Sequence, residues 1–151
     1  MTPDSPTTPT HPAPLPQRHL LLGWSCLLVF LTLGIVLEAL HGFKVGWYLA
    51  AHHEVRRLMW TLAHAHGVLL GLVHIAFATT LSTLQASDTR WAQRASPLLT
   101  GASILLPSGF FLGGIILHDG DPSLGIVLTP IGALLLLMAT ALTVYGLMHR
   151  R

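Results

Sequence analysis

Five ionisable side chains near the ends of long apolar segments are the groups in this sequence that could do chemistry. They are Glu38, His41, His64, His66 and His118. Ionisable groups at membrane depth are costly and usually have partners or a function. Imidazole suits zinc, copper and iron ions, haem iron takes an axial histidine, and a histidine beside a carboxylate can exchange protons near neutral pH. The sequence therefore leaves a transition-metal site, a b-type haem site and a proton site open.

The spacing of these residues argues against a ready-made motif. His64 and His66 are two residues apart, which turns them about 200° from each other around a helix, so they cannot both face one ion. The Asp-Gly-Asp-Pro segment after His118 is typical of a turn. Histidines that hydrogen-bond across helices and hold a bundle together are the simpler interpretation. The sequence has no phosphate-binding glycine loop, nucleophile elbow, paired zinc cysteines or HExxH motif, so we do not expect an enzyme.

Composition indicates which elements must position these groups. The chain is 52% hydrophobic and 9% charged, whereas a soluble domain carries about 25% charged residues. Each long apolar segment is sufficient for one helical crossing, and backbone groups in lipid must be satisfied within their own segment. The sequence therefore predicts an all-α, polytopic membrane protein, a four-transmembrane-helix bundle over residues 18–151. The predicted spans are about 20–40, 58–81, 98–117 and 124–147.

Residues 1–17 have prolines at positions 3, 6, 9, 12, 14 and 16. Such a segment can form neither a helix interior nor a core, so we expect a disordered Pro-rich tail. The apolar segment after it is longer than a typical signal-peptide core. We therefore expect a retained helix rather than a cleaved signal.

The distribution of Lys and Arg predicts the orientation of the bundle. Five basic residues flank the spans on the side of the termini, Arg18, Arg90, Arg94, Arg150 and Arg151, against Lys44, Arg56 and Arg57 on the other side. This asymmetry favours both termini in the cytoplasm, in a bacterial inner membrane or a plasma membrane. Trp47 and Tyr48 in the first loop predict a short interfacial helix.

In this orientation the five candidate residues lie near the outer face. Glu38 and His41 end the first span, His118 ends the third, and His64 and His66 lie about 9 to 12 Å below the start of the second. His74 is about 15 Å deeper than His64 along the same helix and stands apart from this cluster.

Small residues predict where helices approach closely. The second helix has Ala63, Gly67 and Gly71 at four-residue spacing, and the third has a similar set, Gly101, Gly109 and Gly113. Small residues let membrane helices come close together, so we expect these two helices to pair tightly. A stripe left unused in the bundle would also suit self-association or another membrane protein. Lipid is the expected surrounding partner, and a net charge of +2 on scattered residues does not indicate nucleic-acid binding.

Three segments carry a resemblance to a known family. They are LEALHG at residues 37–42, WTLAHAHGVLL at 60–70, and SG at 108–109 followed by LTPIGA at 128–133. With them the chain resembles the YgdD-type family of small four-helix inner-membrane proteins of unknown function. Glu38 stands where that family usually has a small residue, and Ala133 replaces a second glycine. The resemblance implies a fold and a location and brings no reaction or catalytic residue.

We expect a small structural or accessory membrane protein. The alternative is a haem-, metal- or proton-handling redox subunit that uses the intramembrane histidines. A small-solute transporter is the last hypothesis, because it needs a polar path across both leaflets. The inner half of the second helix offers only His74, Thr79 and Thr80 for such a path.

Overall fold

The computed structural model describes residues 13–50, 53–118 and 121–149. Its elements in chain order are α1 (Leu15–Gly42), α2 (Gly46–Leu49), α3 (Glu54–Thr83), α4 (Arg90–Gly113), β1 (Leu117–His118), β2 (Asp121–Pro122), a 3-10 helix (Leu124–Val127) and α5 (Leu128–Met148). In the described ranges, four helices are long and apolar enough to cross a membrane, namely α1, α3, α4 and the 3-10 helix continued by α5. The prediction of an all-α chain with four such helices is confirmed. The antiparallel pairing of β1 with β2 is a small addition to it.

The first helix begins earlier than the sequence predicts. Residues 15–17, expected in the tail, are helical, and Pro16 lies in the first turn of α1. Proline is tolerated there because the first amides of a helix have no intrahelical acceptor. Residues 1–12, the rest of the predicted tail, lie outside the described residues.

Proline positions also shift the later helices. Helix α4 begins at Arg90, eight residues before the predicted start, and Pro97 and Pro107 lie inside it. Neighbouring helices and local adjustments can satisfy the backbone groups that proline frees in such a span. Pro130 is the third residue of α5, and proline is tolerated in the first turn of an α-helix.

The spanning helices pack as consecutive antiparallel neighbours, and the most extensive contacts join α1 with α3 and α4 with α5. The small residues of α3 serve the first contact. Gly67 lies against the ring of Phe30, and the Cα of Gly71 approaches α1 so closely that an added Cβ would be 3.0 Å from the carbonyl oxygen of Gly23. Ala63 is fully buried.

The small residues of α4 serve the second contact. An added Cβ at Gly101 would be 3.0 Å from Leu135, and one at Gly109 would be 2.5 Å from the hydroxyl of Thr129. Gly113 faces Ile126 of the 3-10 helix. Helices α3 and α4 are in contact, as predicted, but the glycines of their two stripes face α1 and the α5 region instead of each other. A stripe of small residues shows that a helix is approached closely, and it carries no information on which helix approaches.

Candidate functional site

Three of the five predicted residues meet at one cleft. Glu38 and His41 of α1 face His64 of α3 across a cavity of about 240 Å³, which we call the Glu38 cleft. Its remaining lining residues are Gly34, Leu37, Tyr48 and Thr61. Glu38 and His41 are exposed, whereas His64 is half-buried. The cleft therefore combines a half-buried side chain on α3 with exposed side chains on α1.

The wall of the cleft is fixed by a glycine and a carbonyl group. The His64 ring lies on Gly34, where any side chain would collide with it. The ring thereby reaches the carbonyl oxygen of Phe30, 2.6 Å from its Nδ1. Because a carbonyl oxygen accepts, Nδ1 carries the proton, and the neutral ring keeps its lone pair on Nε2.

His66 and His118 do not join this cleft in the described residues. His66 donates from Nδ1 to the carbonyl of Leu62 at 2.8 Å, and its ring lies 4.9 Å from that of Phe110 on α4. It therefore points to α4 while His64 points to α1, as their two-residue spacing predicts. The backbone of His118 pairs with Asp121, and its side chain lies outside the described part of the structure.

The first loop closes the cleft. Lys44 takes a left-handed conformation with φ of 51° and ends α1, and the one-turn helix α2 follows. Tyr48 of α2 is 3% exposed. Burial raises the pKa of its hydroxyl above the usual value, while Arg57 acts in the opposite direction. Tyr48 thus lines the cleft as a neutral phenol.

Two arginines in the first turn of α3 bind backbone carbonyls near the ends of neighbouring helices. Arg57 donates to the carbonyls of Tyr48 and Ala50 at 2.9 and 3.0 Å. Arg56 donates to the carbonyl of Gly114 at 2.9 Å, just past the end of α4. Free carbonyls at a helix end favour cationic donors, so both arginines have a structural role.

A second polar group, which the sequence analysis missed, lies at the other end of the bundle. His19 of α1 is hydrogen-bonded to His74 of α3 through the two Nδ1 atoms at 2.7 Å. Its Nε2 is 2.8 Å from the hydroxyl of Ser96 on α4. His19 is 1% exposed, His74 is fully buried and Ser96 is also buried. This His19 network joins three of the four long helices at one point.

Pairing the hydroxyl hydrogen of Ser96 assigns one proton pattern to the His19 network. The hydroxyl hydrogen of Ser96 needs an acceptor, and His19 Nε2 is its partner among the described residues. Ser96 then donates to His19, and the Nδ1–H of His19 donates to Nδ1 of His74. His74 keeps its proton on Nε2, which is buried without a partner in the described residues. The pattern is assigned from the network as a whole.

The register of an antiparallel pair carries the signal for this network. Gly34 lies against His64 and Gly23 against Gly71, so residues of α1 and α3 whose numbers add up to about 95 share a level. His19 and His74 fit this relation. In the sequence alone His19 flanks the first helix and His74 stands apart, because depth along one helix contains no information on the register between two helices.

Two pairs of histidines on α1 and α3 leave no room for a haem between them as they stand. The 2.7 Å between the Nδ1 atoms of His19 and His74 leaves no room for an iron and its macrocycle. A macrocycle between His41 and His64 would have to separate α1 from α3, where the His64 ring already lies on Gly34. A haem bound by other histidines stays a prediction.

No protein-family model, curated protein or solved structure matches the chain. The resemblance to the YgdD-type family therefore stays a prediction.

Proposed function

We propose that this chain is an integral membrane protein with a structural or accessory role. It would cross a bacterial inner membrane or a plasma membrane four times, with both termini on the cytoplasmic side. The observation that carries this proposal is the His19 network. In this network the buried imidazoles of His19 and His74 form hydrogen bonds that connect α1, α3 and α4. Polar side chains act in this way as interhelical links in membrane bundles.

Outward-facing side chains support insertion into lipid. Leu21, Leu28 and Ile35 of α1 are 70%, 71% and 67% exposed, and Leu134 and Leu137 of α5 are 62% and 65% exposed. Apolar surface of this extent, spread along two long helices, suits a hydrocarbon environment. Both glycine stripes are used within the bundle, so a self-association surface or a partner surface would have to use these larger side chains.

The count of basic residues supports the orientation. Arg18, Arg90, Arg94, Arg150 and Arg151 flank the spans on the side of the termini, against Lys44, Arg56 and Arg57 on the other side. Arg56 and Arg57 keep their charge while they donate to carbonyl groups, so the asymmetry stays at five against three and favours cytoplasmic termini.

An apolar segment between the two polar sites favours a structural role over transport. His64 and His74 are ten residues apart on α3, about 15 Å of helical rise. Between their levels, α1 and α3 meet through Phe30 against Gly67 and Leu27 against Gly71. These groups offer no hydrogen-bonding path for a proton or a polar solute.

Membrane extraction and flux measurements test this proposal together. The full chain should stay in the membrane pellet after alkaline carbonate washing and dissolve only in detergent. Reconstituted into liposomes, it should give proton and potassium fluxes equal to those of protein-free vesicles, with an ionophore as the positive control. Release by carbonate would contradict insertion, and a flux above that of the empty vesicles would contradict the structural role.

A further inference from the structure

We propose that the Glu38 cleft binds one divalent transition-metal ion of the zinc class through Glu38, His41 and His64. This site goes beyond the structural role, which holds whether or not an ion is bound. Its basis is the meeting of one carboxylate and two imidazoles at a single cavity.

The helix geometry places the three groups around one cleft. Glu38 and His41 are three residues apart on α1, and side chains at this spacing lie on the same face of a helix one turn apart. His64 enters the cleft from α3 on the opposite wall. A carboxylate and a histidine at this spacing, with a further ligand from a facing helix, is an arrangement from which helical bundles build metal sites.

His64 is already oriented as a metal ligand. Histidines that bind metals almost always donate their other ring N–H to a carboxylate, carbonyl or water, which fixes the ring and the tautomer. His64 donates its Nδ1–H to the carbonyl of Phe30 at 2.6 Å. Gly34 makes that contact possible, because a side chain there would collide with the ring. The lone pair of Nε2 is therefore available to an ion.

The two ligands on α1 must move for an ion to bind. Among the described residues, no three His, Cys, Asp or Glu side chains stand close enough together to hold an ion as they are. Glu38 and His41 are exposed, and among the described residues their side chains make no hydrogen bond, ion pair or ring contact. Rotation about their side-chain bonds brings them toward His64, where zinc needs ligand distances of about 2.0 to 2.2 Å.

The donor set and the space select the class of ion. Two imidazoles and a carboxylate suit zinc, iron and copper, whereas calcium and magnesium prefer oxygen ligands alone. The cleft of about 240 Å³ exceeds the roughly 30 Å³ that one water occupies in the liquid. An ion with three protein ligands would therefore keep an open position for water. Tyr48 lines the same cleft, and its hydroxyl is a hydrogen-bonding group for that water.

Zinc titration of the full chain in detergent, prepared without a histidine tag, tests the site. We expect one Zn²⁺ per chain by calorimetry. Glu38→Gln and His41→Asn should each weaken binding at least tenfold, because each removes one of three ligands. Both positions are exposed, so these variants should keep the fold, which circular dichroism checks. His64→Ala should weaken binding to a similar degree.

Two matched variants separate the proposed site from other histidines and from the shape of the cleft. His66→Ala removes the histidine that faces α4, and Thr61→Val changes the cleft lining without removing a ligand. Both should bind Zn²⁺ within about twofold of the unaltered chain. The proposal is overturned if the unaltered chain takes up no stoichiometric Zn²⁺, or if Glu38→Gln and His41→Asn bind as tightly as the unaltered chain. Neither result would affect membrane insertion or the absence of flux.

Discussion

His19 and His74 share a hydrogen bond of 2.7 Å between their Nδ1 atoms, although 55 residues separate them in the chain. The Phe77 ring packs edge-on against His19, with 4.8 Å between the ring centroids. The contact fixes α1 against α3 at one end of the bundle, and Ser96 extends it to α4.

Removal of His74 should destabilise the bundle. His74→Ala removes the hydrogen-bond partner of Nδ1 of His19 and leaves that buried atom unsatisfied, which costs about 1 to 3 kcal/mol, and it adds a cavity. We expect a lower thermal midpoint in detergent, followed by circular dichroism. His149→Ala is the matched control, because His149 is exposed and bonds its own helix at Tyr145. Equal midpoints for the two variants would show that the His19 network does not hold the helices together.

A side chain at Gly67 should push α1 away from α3. Gly67→Ala places a methyl group against the Phe30 ring, and overpacking of this kind costs about 1 to 3 kcal/mol. Gly42→Ala is the control, since an added Cβ there meets nothing within 4 Å. Thermal unfolding in detergent should show a loss for the first variant alone. Unchanged stability of Gly67→Ala would mean that α1 and α3 do not pack in this register.

Loss of the Thr129 hydroxyl should stabilise the α4–α5 contact. This oxygen is buried and has no hydrogen-bond partner among the described residues. Thr129→Val keeps the side-chain shape and removes the unpaired group, so we expect a gain of about 1 kcal/mol. Thr100→Val, which removes a hydroxyl bonded to the carbonyl of Ser96, should give no such gain. A loss of stability in Thr129→Val would show that its hydroxyl has a partner.

Tyr48 should ionise above the ordinary range for tyrosine. Burial raises the pKa of its hydroxyl, so its contribution to stability is complete below about pH 10, the ordinary tyrosine value. That contribution is lost as the pH rises through the pKa of the folded state. The chain has two tyrosines, and Tyr145→Phe leaves Tyr48 as the reporter. Its tyrosinate absorbance should appear above pH 10, and ionisation at or below the ordinary value would contradict a buried Tyr48.

The existence of the four long helices could be predicted from sequence because apolar length alone determines it. Their ends and partners could not. The first two turns of α4 were not predicted because Pro97 follows them, and a proline in a sequence usually indicates the end of a helix. Inside a packed span a proline is tolerated, so the helix continues through it. Gly67 and Gly109 indicate close approach, and the approaching helix depends on the whole arrangement.

The two polar sites also differ in how far they could be predicted from single segments of the sequence. Helical rise placed Glu38, His41 and His64 at one level, because each lies a countable distance from a span end. His19 and His74 required the register between two helices, which no single segment contains. The direction of His66 followed from its spacing to His64.

Cysteine labelling tests most directly the central claim of a four-span membrane protein with cytoplasmic termini. In a Cys26→Ser background, which removes the single native cysteine, one cysteine is placed at Lys44 or at Asp88. Both positions are exposed and lie at opposite ends of the bundle. A membrane-impermeant maleimide should label Lys44→Cys in intact cells and Asp88→Cys only after permeabilisation. The reverse pattern, or the same pattern at both positions, would contradict the account.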